Sequence, residues 1–221
     1  MSTTQGFTVA IDGPAASGKS TVAKRLAKSL GMVMVNSGAM YRAVTWQVLQ
    51  AGVDPADAEA VIAVLKDMEI VCGVENGFSD IRINGRLLTD ELRSEEVNNN
   101  VSKVAAIPEV RECLVAMQRA YRESNDVVME GRDIGSVVFP ETPFKLYIDA
   151  SEEVRRARRA GDGEADAVAA RDAQDSQRKT APLKISEGAV VIDSSELGID
   201  EVVEAAYQAL ISLGWEEDWI S

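Results

Sequence analysis

The chain has 221 residues, 46% of them hydrophobic, a formal net charge of −13 and no histidine. That length and apolar content suit one α/β domain with its own core. The acidic balance argues against broad nucleic-acid or membrane-surface binding, which needs a basic face, and the lack of histidine excludes imidazole general bases and imidazole metal ligands.

From the N-terminal side, "FTVAID" is a short apolar run before a glycine, the pattern of a strand buried on both faces of a parallel sheet. "KSTVAKRLAKSLG" spaces Val22, Leu26 and Leu30 at helical intervals and ends on Gly31, a natural helix stop. "MVMVN" reads as a second buried strand, and "GAMYRAVTWQVLQAG" as a helix again stopped by glycine. "DPADAEAVIAVLKDM" reads as a helix begun by Asp-Pro. Then the period changes. "EIVCGVENGFSDIRINGRLLTDE" alternates polar and apolar residues around Asn-Gly pairs at 76–77 and 84–85, which predicts a hairpin or three-stranded antiparallel meander, a small appended lobe. Helices over 94–105 and 108–123 follow. "DVVMEG" and "FKLYIDA" are the next buried strands, and charged helical stretches over 151–179 separate the latter from "GAVVIDS", a fifth strand. "GIDEVVEAAYQALISLG" is an amphipathic closing helix, with Ile199, Val202, Val203, Ala206, Leu210 and Leu213 on one stripe. The whole predicts βαβ units on a five-stranded parallel sheet flanked by helices on both faces. Cys72 and Cys113 have no metal spacing and are expected to be buried thiols rather than a disulfide. No apolar run reaches the ~18–20 residues of a membrane span, and no apolar segment follows a basic one near the N-terminus, so a cytoplasmic protein without membrane contact is expected.

Gly13-Pro14-Ala15-Ala16-Ser17-Gly18-Lys19-Ser20, followed by Thr21, fits G-x-x-x-x-G-K-[S/T] between a predicted strand and a predicted helix, the context that the motif requires. Glycines let backbone N–H groups turn inward as an anion nest, and the helix N-terminus adds partial positive charge. Lys19 would reach the β- and γ-phosphates of a nucleotide and Ser20 would ligate Mg²⁺. Ligands of an open α/β sheet bind beyond the C-terminal strand ends. Two further segments fall there. "NSGAMYR" puts Ser37 and Gly38 at a helix N-terminus with Arg42 one turn on, and "MEGRDIGSVVFP" puts Glu130, Gly131, Arg132 and Asp133 after a strand. Glu130 is placed where a carboxylate could hold a magnesium-bound water, and Gly131 permits close approach of a ligand. The plainer accounts are an N-cap with a surface arginine for the first segment and an Asp133–Arg132 pair or a capped turn for the second. In "ARDAQDSQRKTAPL", Arg171, Asp175 and Arg178 share a helical face, which alone is equally a surface ladder of ion pairs. Arg155, Arg156, Arg158 and Arg159 precede it, a local cation cluster in an acidic chain that reads as a mobile arginine lid over phosphates.

With these segments in place, the chain resembles the bacterial cytidylate kinases, nucleoside monophosphate kinases of the P-loop superfamily. "IDGPAASGKST", "SGAMYR", "VSKVAAIPEVR", "MEGRDIGSVVFP", "RDAQDSQRKTAPL" and "VVIDSS" carry the resemblance, with "GRDIGSVVFP" and "DSQRKTAPL" its most specific parts. It implies a single kinase domain over 1–221, with a core of 6–67, 125–150 and 180–214, a nucleotide-binding insertion over 68–105 and a helical lid over 155–179. It implies transfer of the γ-phosphoryl group of ATP to CMP or dCMP with Mg²⁺, by a monomer. Residues Gly13 to Thr21 would bind ATP. Ser37, Gly38, Arg42, Gly131 and Arg132 would meet the acceptor, with Arg42 and Arg132 clamping its phosphate. Ser102, Arg111 and Asp133 would read the cytosine edge. Arg171, Asp175 and Arg178 would contact ribose, base and the transferring group on lid closure, and Arg158 would join from the other arm. Lys19, Arg132, Arg158 and Arg171 would neutralise charge on the transferring group.

Three departures from the family pattern stand out. Asn36 and Glu130 each replace a usual aspartate, and "RAGDGEADAVAA" makes the lid short and acidic. Three rival readings stay open: a kinase for UMP, AMP or a small hydroxyl compound such as shikimate, a nucleotide-driven switch or motor, and an inactive relative. A switch or motor needs a residue that positions a hydrolytic water, and no such signature is visible.

Overall fold

The computed structural model describes residues 6–160 and 183–216. Five parallel strands form its centre: β1 (Thr8–Asp12), β2 (Val33–Asn36), β6 (Val127–Gly131), β7 (Lys145–Asp149) and β8 (Val190–Asp193). They lie in the order β2-β6-β1-β7-β8 and correspond to the five strands predicted. β1 and β6 are buried along their whole length, as a strand covered on both faces must be.

Residues alternate between two cores. Val9 and Ile11 face α1 (Lys19–Ser29) and α7 (Ile199–Ser212), together with Leu26, Leu146 and Leu210. Ala10 faces the other side, where α2 (Ser37–Gln50), α4 (Glu95–Val104) and α5 (Pro108–Ala120) pack with Val35 and Met129. The helix α3 (Ala58–Lys66) starts at Ala58 rather than at Asp-Pro. The Asp57 side chain accepts from the Ala60 N–H and so is the cap, while Asp54 and Pro55 form a preceding turn.

The insertion is not a separate lobe. The strands β3 (Ile70–Glu75), β4 (Phe78–Ile83) and β5 (Arg86–Leu87) pair antiparallel through Asn76-Gly77 and Asn84-Gly85. All four turn residues have positive φ (53°, 79°, 50° and 78°), as the primed turns of two-residue hairpins require. However, β4 also joins the outer edge of β2, so the sheet has eight strands rather than five. The Met34 N–H donates to the Gly77 carbonyl (2.9 Å) and the Asn36 N–H to Ser79 Oγ (3.1 Å). Without the hairpin, the outer edge of β2 would be an open row of backbone groups.

Cys72 and Cys113 are free and half-buried rather than buried, and burial pushes both thiols up. Among the described residues, no helix is long and apolar enough to cross a membrane. Most of the expected lid lies outside the described residues; its first arm is α6 (Glu152–Ala160). In register, Asn36 lies beside Glu130, Asp12 beside Gly131 and Asp149 beside Asp193, so the parallel strands end along one edge.

Candidate active site

The loop between β1 and α1 bends where the backbone allows it. Gly13 has φ 155°, and a Cβ there would lie 2.1 Å from the Ile148 carbonyl oxygen, so only glycine fits. Ala16 and Gly18 adopt positive φ (60° and 88°). Five successive carbonyls of the loop each accept a side-chain donor. Gly13 O takes Arg132 (2.6 Å), Pro14 O takes Lys19 Nζ (3.0 Å) and Ala15 O takes Arg155 (3.4 Å). Ala16 O takes Arg158 (3.3 Å) and Ser17 O takes Ser194 Oγ (2.9 Å). Among the described residues every peptide bond is trans, so each N–H points opposite to the carbonyl before it. With these carbonyls taken by protein donors, the N–H that follows each points the other way. The first turn of α1 holds no acidic residue and no side-chain cap, which leaves its positive end available.

Next to the loop, Ser20 Oγ donates to Glu130 Oε1 (2.8 Å) across the gap between α1 and β6. Among the described residues, no group of three or more His, Cys, Asp or Glu side chains could hold a metal. One hydroxyl and one buried carboxylate fit Mg²⁺, which keeps several waters and takes its remaining ligands from substrate phosphates.

At the end of β2, Asn36 Oδ1 accepts from the Ala39 N–H (3.0 Å) and caps α2. A neutral amide oxygen caps as an aspartate oxygen would. Arg42 folds back over Gly38, where a Cβ would lie 2.9 Å from its guanidinium. Ser37 Oγ donates to the Glu130 carbonyl (2.8 Å), and a Cβ on Gly131 would lie 2.5 Å from that hydroxyl. Asp133 pairs with Arg111 and not with Arg132, which reaches the phosphate loop. The Asp133–Arg111 pair is buried (5% and 4% exposed) and the Arg111 guanidinium sits 5.7 Å from the centre of the Tyr41 ring. Asp12, at the end of β1, accepts from the Ile134 and Gly135 N–H groups (2.7 and 2.8 Å) and so anchors the turn after Asp133. Burial pushes its carboxyl up to about 7, against the lowering effect of those two donors.

These parts meet in a cleft of about 800 Å³. Of the expected residues, Ala15, Ala16, Gly18, Lys19, Ser20, Thr21, Ser37, Gly38, Arg42, Ser102, Glu130, Gly131, Arg132, Asp133 and Arg158 line it. Gly13, Pro14 and Ser17 shape the loop from behind, and Arg111 stands behind Asp133 as its partner. Arg171, Asp175 and Arg178 lie outside the described residues. Sequence reasoning missed Tyr41, Thr89, Leu92, Arg93, Asn98 and Val101, which also line the cleft, and the anchoring role of Asp12. One signal was available: Asn98, Val101 and Ala105 share a helical face with the expected Ser102.

The family model described as Cytidylate kinase matches residues 9–211. A curated cytidylate kinase of Geobacillus kaustophilus is 45% identical over 90% of this chain and 93% of its own length. One from Caldanaerobacter subterraneus subsp. tengcongensis is 43% identical over 91% and 93%. A solved gluconokinase from Sinorhizobium meliloti is similar in fold, with a TM-score of 0.50 at 15% identity, over 95% of this chain and 93% of that one. Because the match runs from the first strand into the last helix, the chain belongs to the cytidylate kinase family.

Proposed function

We propose that this enzyme transfers the γ-phosphoryl group of ATP to CMP or dCMP, releasing ADP and CDP or dCDP. The observation that carries this reading is the cleft in which the phosphate loop lies together with Arg42, Arg132 and Asp133 of the buried Asp133–Arg111 pair. A nucleotide-driven switch needs only the first of these. An acceptor oxygen would attack the γ-phosphorus while the bond to the β–γ bridging oxygen breaks. The attacking phosphate oxygen is already anionic, so no general base is required, and positioning and charge stabilisation supply the rate.

In this reading the loop from Gly13 to Thr21 holds the donor, and Lys19, Arg132, Arg158 and Arg171 neutralise the charge that spreads over the transferring group. Ser37, Gly38, Arg42, Gly131 and Arg132 hold the acceptor phosphate end. Ser102 and Asp133, with Arg111 behind it, meet the base, while Arg171, Asp175 and Arg178 complete the enclosure from the lid. Ser20 would ligate Mg²⁺ and Glu130 would hold one of its waters, and the ion when bound neutralises donor phosphate charge. A monomer goes with this reading, as the family resemblance implies. A cytoplasmic location goes with ATP and with thiols kept reduced, as the free Cys72 and Cys113 would be.

The test is a panel of nucleoside monophosphates and shikimate against ATP with Mg²⁺, read as ADP release. CMP and dCMP are expected to lead and chelation to stop turnover. Preference for UMP, AMP or shikimate, or ADP release unaffected by any acceptor, would overturn the assignment.

A further inference from the structure

The Ala15, Ala16 and Ser17 carbonyls of the phosphate loop are held by segments 140 to 177 positions away in the chain, and one buried hydroxyl is their junction. Ser194, the residue after β8, is 2% exposed. Its Oγ donates to the Ser17 carbonyl (2.9 Å) and accepts from Arg158 Nη1 (3.1 Å), while its own carbonyl accepts from Arg158 Nη2 (2.8 Å). Its N–H donates to the Asp149 carbonyl at the end of β7 (2.8 Å). The neighbouring Ser195 Oγ accepts from the Ser151 N–H (2.8 Å), which ties the start of α6 to the same turn. The turn after β8 therefore fixes α6, and from α6 Arg155 and Arg158, one turn apart, reach the Ala15 and Ala16 carbonyls.

We infer that Ser194 is a positioning residue for phosphoryl transfer. Its one proton goes to the loop and its lone pair to Arg158, so one side chain sets the donor phosphates and a charge-neutralising arginine relative to each other. It touches no reactant; it acts through Ser17 and Arg158. The inference rests on the role proposed above for Arg158.

The test measures kcat, the KM for ATP, the KM for CMP and the melting temperature for Ser194→Ala, Ser194→Thr, Arg158→Ala and the Ser194→Ala/Arg158→Ala double variant. Misplacing a reacting group by about 1 Å can lower a rate roughly 100-fold, so Ser194→Ala is expected to lower kcat by about 10–100-fold. The KM for ATP should rise several-fold with the KM for CMP held, and Ser194→Thr, which keeps the hydroxyl, should recover most of the loss. In the Arg158→Ala background, Ser194→Ala should lower kcat less than it does alone, because the part that runs through Arg158 is already lost and only the Ser17 contact remains. Should Ser194→Ala fail to fold, Ser194→Cys keeps the volume with a poor donor and acceptor and is expected to show the same pattern. A kcat that Ser194→Ala and Ser194→Cys leave alone, or a full additive loss in the double variant, overturns the role of Ser194 while that of Arg158 stands. A normal kcat in Arg158→Ala overturns both.

Discussion

Replacing Gly131 with alanine tests how tightly the acceptor edge is built. An added Cβ would lie 2.5 Å from Ser37 Oγ and 2.7 and 2.9 Å from Cδ1 and Cγ1 of Ile134. Ile134 is fully buried and Ser37 Oγ is committed to the Glu130 carbonyl at 2.8 Å, so neither neighbour has free space to retreat into. Overpacking of this kind costs about 1–3 kcal/mol, and loss of the Ser37 hydrogen bond adds roughly 1 kcal/mol. The sum, about 2–4 kcal/mol, corresponds to a melting temperature lowered by about 4–16 °C in a protein of this size. Because the Ser37 hydroxyl is displaced from the acceptor side of the cleft, the KM for CMP should rise about tenfold, equivalent to roughly 1.4 kcal/mol, with the KM for ATP little changed. Differential scanning calorimetry and steady-state kinetics at saturating ATP measure both. Combining the change with Ser37→Ala removes one of the two clashing groups, so part of the thermal loss should return while the KM stays high. A melting temperature within 1 °C of the wild type together with an unchanged KM for CMP would refute the reasoning.

Arg132→Ala should lower kcat by about 10²–10³-fold, the usual loss on removing a preorganised donor to transition-state charge, while circular dichroism shows the fold intact; near-normal turnover would sink the assignment. Asp133→Ala leaves the buried Arg111 uncompensated and should cost roughly 3–5 kcal/mol in guanidinium unfolding. Adding Arg111→Leu should restore most of that stability without restoring the preference for CMP over UMP. Asp12, with its carboxyl pushed up to about 7 from an ordinary 3.8, holds a proton that the unfolded chain has already released over that range. Its contribution to stability is therefore unaffected below about pH 4, falls as pH rises towards 7 and levels off above, with a slope of up to about 1.4 kcal/mol per pH unit. Comparing the unfolding free energies of the wild type and Asp12→Asn at pH 4, 5.5 and 7.5 isolates this term. A difference that does not change with pH would mean that the two N–H donors keep Asp12 ionised.

The two departures from the family pattern that fall on described residues have simple structural readings. Asn36 needs no charge to cap α2, because capping uses one oxygen. Glu130, one methylene longer than an aspartate, spans from β6 to Ser20 directly.

Much of this molecule was legible from local chemistry. Apolar runs marked the five parallel strands, helical spacing and Gly31 bounded α1, and Asn-Gly pairs placed both hairpin turns at the right residues. The phosphate loop and the segments "NSGAMYR" and "MEGRDIGSVVFP" were legible because each joins a strand end to a helix or turn, and strand ends of one sheet share an edge. What no local pattern carries is which remote groups meet. The pairing of Asp133 with Arg111 rather than with adjacent Arg132 is one such case. The extension of the sheet by β4, the anchoring of the Ile134 turn by Asp12 and the Ser194 bond to a carbonyl 177 positions earlier are others. A strand or a turn is stabilised by neighbours a few residues away and leaves its mark in composition and spacing. An ion pair or a hydrogen bond between distant segments exists only once the crossovers have laid those segments side by side, so the tertiary structure alone decides it.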